Sequence, residues 1–168
     1  LPEGTQDYAV KFLDGFIMKS WLDYISFGET GTGGWSNGDG LIHCVRTAYD
    51  LESENFQVSL LKHEAQHAMD HARYKGITNE ELEYRAKLVE LIYSRERRML
   101  ERFLGQADTT RADNGHGLSA ERIVREFEIR QKRDRGRLAE LPVETVQTAA
   151  QSLFAESCQE MAAKYRQS

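Results

Sequence analysis

The 168-residue sequence predicts an α+β fold that is predominantly α. Three observations carry this. Apolar residues recur at steps of three and four through most of the chain, the period of a helix with one buried face. One stretch, Leu41-Ile42-His43-Cys44-Val45-Arg46-Thr47-Ala48-Tyr49, is instead dense in strand formers and bounded by Gly40 and Asp50. Helix start and stop residues then divide the rest into segments of ordinary helical length.

Tyr8, Phe12, Leu13, Phe16, Ile17, Trp21, Tyr24 and Ile25 predict an amphipathic helix over 8–25 with its aromatics in the core. Six of the thirteen glycines fall within residues 28–40, which predicts a loop. That loop lacks the preceding strand and the Gly-Lys-Ser/Thr ending that a phosphate cradle needs. The strand over 41–49 cannot stand alone, so a partner is expected in weakly marked sequence nearby. His43, on this strand, is expected to be structural.

Ser53 can cap a helix running through Phe56, Leu60, Leu61, His63, His67 and Ala72 to a stop at Gly76. Thr78-Asn79-Glu80-Glu81 reads as a capping box. The helix it opens continues through Leu82, Leu88, Leu91, Met99 and Phe103 to Gly105, antiparallel to its predecessor because the link is short. Residues 105–118 read as a loop. Ser119 is the expected cap of a helix with Ile123, Val124, Phe127 and Ile129 inward. After a break bracketed by Gly136 and Pro142, a last helix carries Val143, Val146, Leu153, Phe154, Met161 and Tyr165.

The length suits one domain over 1–168. A net charge of -5, with acidic residues interleaved among the basic ones at 95–102 and 130–137, argues against nucleic acid as a partner. No run approaches the roughly 18 apolar residues of a membrane span. Cys44 and Cys158 are either two thiols or one disulfide. The first residue is Leu1 rather than Met, and an exported origin, periplasmic or secreted after signal removal, is favoured over a cytoplasmic one.

The chemistry gathers at Leu60-Leu61-Lys62-His63-Glu64-Ala65-Gln66-His67-Ala68. On a helix, His63 and His67 share one face and can grip one zinc ion, with Glu64 beside them. This HExxH pattern is the signature of the zincin metallopeptidases. A catalytic zinc takes three protein ligands and keeps one open position. His71 lies eight residues beyond His63, about 12 Å along the axis, too far to share the ion. A carboxylate from the next helix is the remaining source. Glu81 is occupied by the capping box and Glu80 lies at the turn, whereas Glu83 sits one turn in, with the small Ala86 three residues on.

His63-Glu64-x-x-His67 followed by Glu83-x-x-Ala86 resembles the gluzincin zinc peptidases, over residues 60–90. The resemblance implies a compact zincin-like domain, its small sheet packed on the HExxH helix and additional helices at the C-terminus. It implies Zn²⁺ on His63, His67 and Glu83, and hydrolysis of a peptide or protein substrate through a zinc-activated water with Glu64 as general base. Gluzincins also place a Tyr or His downstream as oxyanion donor. His116 is the candidate, ahead of Tyr93 and Tyr74. The resemblance further suggests that strand 41–49 holds extended substrate by edge pairing. The family often has an Asp four residues after the ligand Glu to orient a zinc-bound His. Here that position is Lys87, so Asp70 or Glu90 is expected to supply the contact.

A carboxylate-bridged di-iron bundle needs Glu-x-x-His from two helices, and the chain has no second copy. A structural zinc site closes with four ligands, typically with Cys, and neither cysteine lies in a paired motif. The remaining alternative is a zincin-fold zinc-binding or regulatory module that is catalytically weak or inactive, which Lys87 favours.

Overall fold

The computed structural model of the chain describes residues 1–15, 33–36 and 41–165. A small sheet precedes a run of helices. Strands β1 (Ala9–Leu13), β2 (Gly34–Ser36) and β3 (Leu41–Val45) lie in the order β1-β3-β2. β1 runs parallel to β3, from Ala9 opposite Leu41 to Leu13 opposite Val45, and β2 runs antiparallel to it. The strand expected over 41–49 thus ends at Val45, passes into a 3₁₀ turn over Arg46–Ala48, and finds two partners.

Both partners correct an expectation. The helix expected over 8–25 is instead a strand over Ala9–Leu13, and residues 16–25 lie outside the described part. Tyr8 and Val10 are half-buried while Ala9 and Lys11 are exposed, the alternation of a strand with one covered face. Phe12 is 44% exposed and stacks on Phe56 at 6.2 Å, so it is not the core aromatic its spacing predicts. The loop expected over 28–40 contains β2, and the remainder of it, apart from Gly33, lies outside the described residues.

Ser53 caps α1 (Glu54–Phe56), its hydroxyl accepting from the Phe56 amide. The helix then widens into a π-helical turn over Gln57–Lys62 before continuing as α2 (His63–Arg73). The His63 amide reaches back five residues to the Val58 carbonyl, the mark of that wider turn. Phe56 and Leu60 from this stretch pack with Ile42 and Cys44 of β3, which places the sheet on the entry to α2. Gly76, at φ +79, turns the chain.

Thr78 and Glu81 form the predicted capping box at the start of α3 (Asn79–Tyr93). α3 is the centre of the molecule. Every residue from Leu82 to Ile92 is buried, because α2, α5 (Gly115–Gln131) and α6 (Val143–Tyr165) all pack on it. Phe103, Ile123, Phe127 and Leu153 complete the main core around it. Each such side chain contributes about 1.5–3 kcal/mol of burial.

The single helix expected from Thr78 to Gly105 is two helices. It stops at Ser94 and resumes as α4 (Arg98–Gln106). Glu54 causes the break: its carboxylate accepts from Ser94 Oγ at 2.8 Å and from the Arg95 amide at 2.9 Å. α5 begins earlier than Ser119 predicts. Asn114 is its cap, accepting from the Gly117 amide, and Ile129, expected inward, is 72% exposed. A 3₁₀ turn over Arg135–Glu140 fills the break before α6. Cys44 and Cys158 are both free thiols. No helix among the described residues is long and apolar enough to cross a membrane.

Candidate metal centre

His63 and His67 stand one turn apart on α2, with ring centroids 4.4 Å apart. Glu83, in the second turn of α3, reaches between them. One of its oxygens lies 3.5 Å from His63 Nε2 and the other 3.6 Å from His67 Nε2. His63 also meets Glu90 on α3, so the higher-numbered position on α3 faces the lower-numbered one on α2, as an antiparallel hairpin requires. The predicted ligand set is therefore brought together, with one ligand atom from each residue all within 4.8 Å of one another.

A zinc ion fits this arrangement. Two ligand atoms on one tetrahedral zinc, at bonds of about 2.0–2.1 Å, stand roughly 3.4 Å apart. The histidine–carboxylate separations are close to that and too long for good hydrogen bonds. His67 Nε2 is buried and has no hydrogen-bond partner among the described residues. A buried polar atom left so costs about 1–3 kcal/mol unless something else engages it.

His63 has its other nitrogen fixed. Nδ1 lies 2.7 Å from Glu90 Oε1, and Glu90 is almost fully buried. In the neutral ring, with the Nδ1 proton directed at a carboxylate, Nε2 presents its lone pair to the ligand cluster. Of the two residues expected to stand in for an Asp at position 87, Glu90 makes the contact. Asp70 is engaged elsewhere, by Arg85 and Gln66. Lys87 turns away from the ligands, donating to Gln106 at 2.9 Å and lying 4.5 Å over the Phe103 ring.

The histidines and carboxylates of the cluster shift one another's titration. Burial alone would lower the His63 pKa, but its contacts with Glu83 and Glu90 outweigh this and raise it to about 9. Burial would likewise raise the Glu83 carboxyl, yet His116, His63 and His67 hold it well below the usual carboxylate range. Glu90 is lowered too, its burial outweighed by His63, Arg102 and Lys87. Two buried carboxylates are thus kept ionised around one point.

Glu64 lies beside the pair, its Oε2 3.6 Å from His67 Nδ1 and its side chain still 16% exposed. The Tyr8 hydroxyl donates to the Glu64 backbone carbonyl, tying the chain before β1 to the helix at that residue. His116 is not in a loop, as its glycine flanks predict, but in the first turn of α5. Its Nδ1 stands 2.8 Å from Glu83 Oε2 while its ring is 64% exposed. Gly115 permits this approach, since a Cβ there would come within 2.3 Å of the Asn79 side chain at the start of α3. Tyr74 packs against Tyr165 and Tyr93 under Lys62, so neither competes for that place. His71 is exposed and outside the ligand cluster. β3 cannot pair with substrate as expected, because it is the middle strand and both its edges are taken.

Sequence reasoning missed Ser59, Tyr8 and Arg102 around the site. Ser59 alone left a trace, being four residues before His63 on the same helical stripe. No family model matches this chain, and no characterised protein or solved structure matches it either.

Proposed function

We propose that the chain is a zinc-dependent metallopeptidase of gluzincin type, built on a zincin-like domain. One observation carries the reading. His63 Nε2, His67 Nε2 and Glu83 converge from two helices at zinc spacing, and His67 Nε2 is buried with no hydrogen-bond partner among the described residues. Zn²⁺, when bound by these three residues, supplies Lewis acidity and a coordinated water whose pKa falls towards about 7.

The chain's own residues then divide the work. Glu64, reachable from solvent beside His67, takes the proton of the attacking water and returns it to the leaving amine. His116 keeps Nδ1 on Glu83, which leaves Nε2 for the substrate. The exposed imidazole can then donate an N–H to an oxygen becoming negative. Glu90 holds His63 in one orientation throughout. The substrate is a peptide or protein.

Purified without chelator, the chain should hold about one zinc and hydrolyse an unstructured protein. Glu64→Gln should retain the zinc and lose about 10³-fold in turnover. His116→Phe should lose about 10²-fold, again with zinc kept. Metal analysis showing no zinc would sink the reading. The alternative, a zinc-binding or regulatory module without efficient hydrolysis, draws on Lys87; that Glu90 makes the contact to His63 which Lys87 does not weighs towards hydrolysis. Zinc at full occupancy with no cleavage of any unstructured protein would favour the alternative.

A further inference from the structure

The hold on His63 begins outside the helical hairpin. Glu90 turns Oε1 to His63 Nδ1 and Oε2 to Arg102 Nη2 on α4. The same guanidinium donates from Nη1 and from Nη2 to Ser59 Oγ, at 3.3 Å each. Ser59 lies in the π-helical turn, and Ser59, His63 and His67 follow one another at intervals of four residues. Arg102 therefore grips both the stripe that carries the imidazoles and the carboxylate that orients one of them. The Glu90 side chain is 2% exposed and that of Arg102 38%, so a deeply buried contact is controlled by a side chain that reaches the surface.

We infer that Arg102 is a positioning residue for the metal centre, acting through Glu90 without touching the ion. This rests on the zinc reading above. A carboxylate fixed at one oxygen can swing about its bond. The Arg102 contact fixes the second oxygen, keeps Oε1 on His63 Nδ1, and so keeps Nε2 facing the other ligands. Lys87 pins the far end of α4 through Gln106, which holds that helix where Arg102 can reach. A lysine at 102 would keep the charge but lose the fork that spans Glu90 and Ser59 together.

Zinc affinity, measured by competition with a chromophoric chelator, tests this on the parent chain, Arg102→Gln, Arg102→Lys, Glu90→Gln and the two combinations with Glu90→Gln. Residues that orient a ligand change metal affinity by about 10–100-fold when removed. One contact further out, Arg102→Gln should cost about tenfold, and Arg102→Lys a smaller but measurable loss. In the Glu90→Gln background both Arg102 changes should fall below about twofold, which a purely structural role would not produce. If Arg102→Gln fails to fold, the lysine pair carries the same comparison. Parent-like affinity in the Arg102 variants, or an equal loss with and without Glu90, overturns the inference. A parent chain that takes up no zinc overturns the metal reading and the inference with it, and the parent titration alone reveals that case.

Discussion

Two buried clusters of charged side chains lie less than one turn apart on α2, and they are finished differently. Around Asp70 the charges close on themselves. Arg85, fully buried, donates to Asp70 at 2.8 Å and to Ser157 at 3.2 Å, and also reaches Glu3, while Gln66 donates to the other Asp70 oxygen at 2.9 Å. The Gln66 amide oxygen is the one side-chain atom of that cluster without a partner among the described residues. Around His67 the arrangement stays open. Two imidazoles and a carboxylate face one point at distances too long to satisfy each other, and a ring nitrogen is buried unbonded. On the zinc reading proposed above, the closed cluster holds the fold and the open one receives the metal.

The largest expected effect tests that distinction directly. His67→Ala and Glu83→Ala should each reduce zinc from about one per chain to near zero, whereas His71→Ala should leave it close to one. Asp70→Ala should also leave it near one, although Asp70 is closer to His67 in sequence than Glu83 is. Zinc lost in Asp70→Ala and kept in Glu83→Ala would reverse the assignment of the two clusters.

Next in size is the cost of opening the closed cluster. Asp70→Ala leaves the Arg85 guanidinium buried with Glu3 as its remaining carboxylate. Breaking a buried pair by removing one partner costs about 3–5 kcal/mol. Urea unfolding of the metal-free protein should show a loss near the lower end, since Glu3 still neutralises part of the charge. A change of under about 1 kcal/mol would mean that Glu3 alone suffices.

The same contrast explains what could be read from the sequence. His63 and His67 were readable because helix geometry alone stacks residues four apart, and Glu83 because Thr78 and Glu81 fix where α3 begins. The other features depend on contacts between distant residues. Nothing near Ser94 marks a break; the cause is Glu54, which captures the Ser94 hydroxyl and the Arg95 amide from forty residues away. Asn114 and Ser119 are both good caps, and Asn114 wins where Gly115 packs against Asn79. Arg85 and Lys87 are charged, yet both are buried because helices cover α3 on every side. β1 is a strand because β3 lies beside it, a pairing across some thirty residues that local spacing does not encode.

A smaller effect concerns the proton on His63. In the metal-free protein its pKa is raised from 6.5 to about 9, against the pull of burial. A raised pKa contributes stability that is fully present below pH 6.5 and is lost as the pH rises through 9. Zinc needs the neutral ring, so binding at pH 7.5 should release a proton, and affinity should rise as the pH approaches 9. Calorimetry in buffers of different ionisation enthalpy reads the proton count. The zinc-saturated protein should lack the decline in stability between pH 6.5 and 9 that the metal-free protein shows. The closed cluster should give no comparable dependence on zinc.

The smallest effect lies at the surface, two residues before Glu83. Glu81 accepts from Thr78 in the capping box and from Lys164 at 2.6 Å and Tyr165 at 2.9 Å, joining the start of α3 to the end of α6. Burial would raise its carboxyl, but these partners outweigh it and lower the pKa from 4.5 to about 2. A lowered pKa contributes stability that is present above pH 4.5 and is lost as the pH falls through 2. Glu81→Gln should therefore cost about 1 kcal/mol at pH 7, the usual worth of a cap, and almost nothing near pH 2. Zinc affinity should not move, because Glu83 is positioned by buried contacts along α3 and not by the cap two residues before it. A tenfold loss of affinity in Glu81→Gln would show that the metal end depends on this surface clasp, and the contrast between open and closed clusters would then have to include the end of α6.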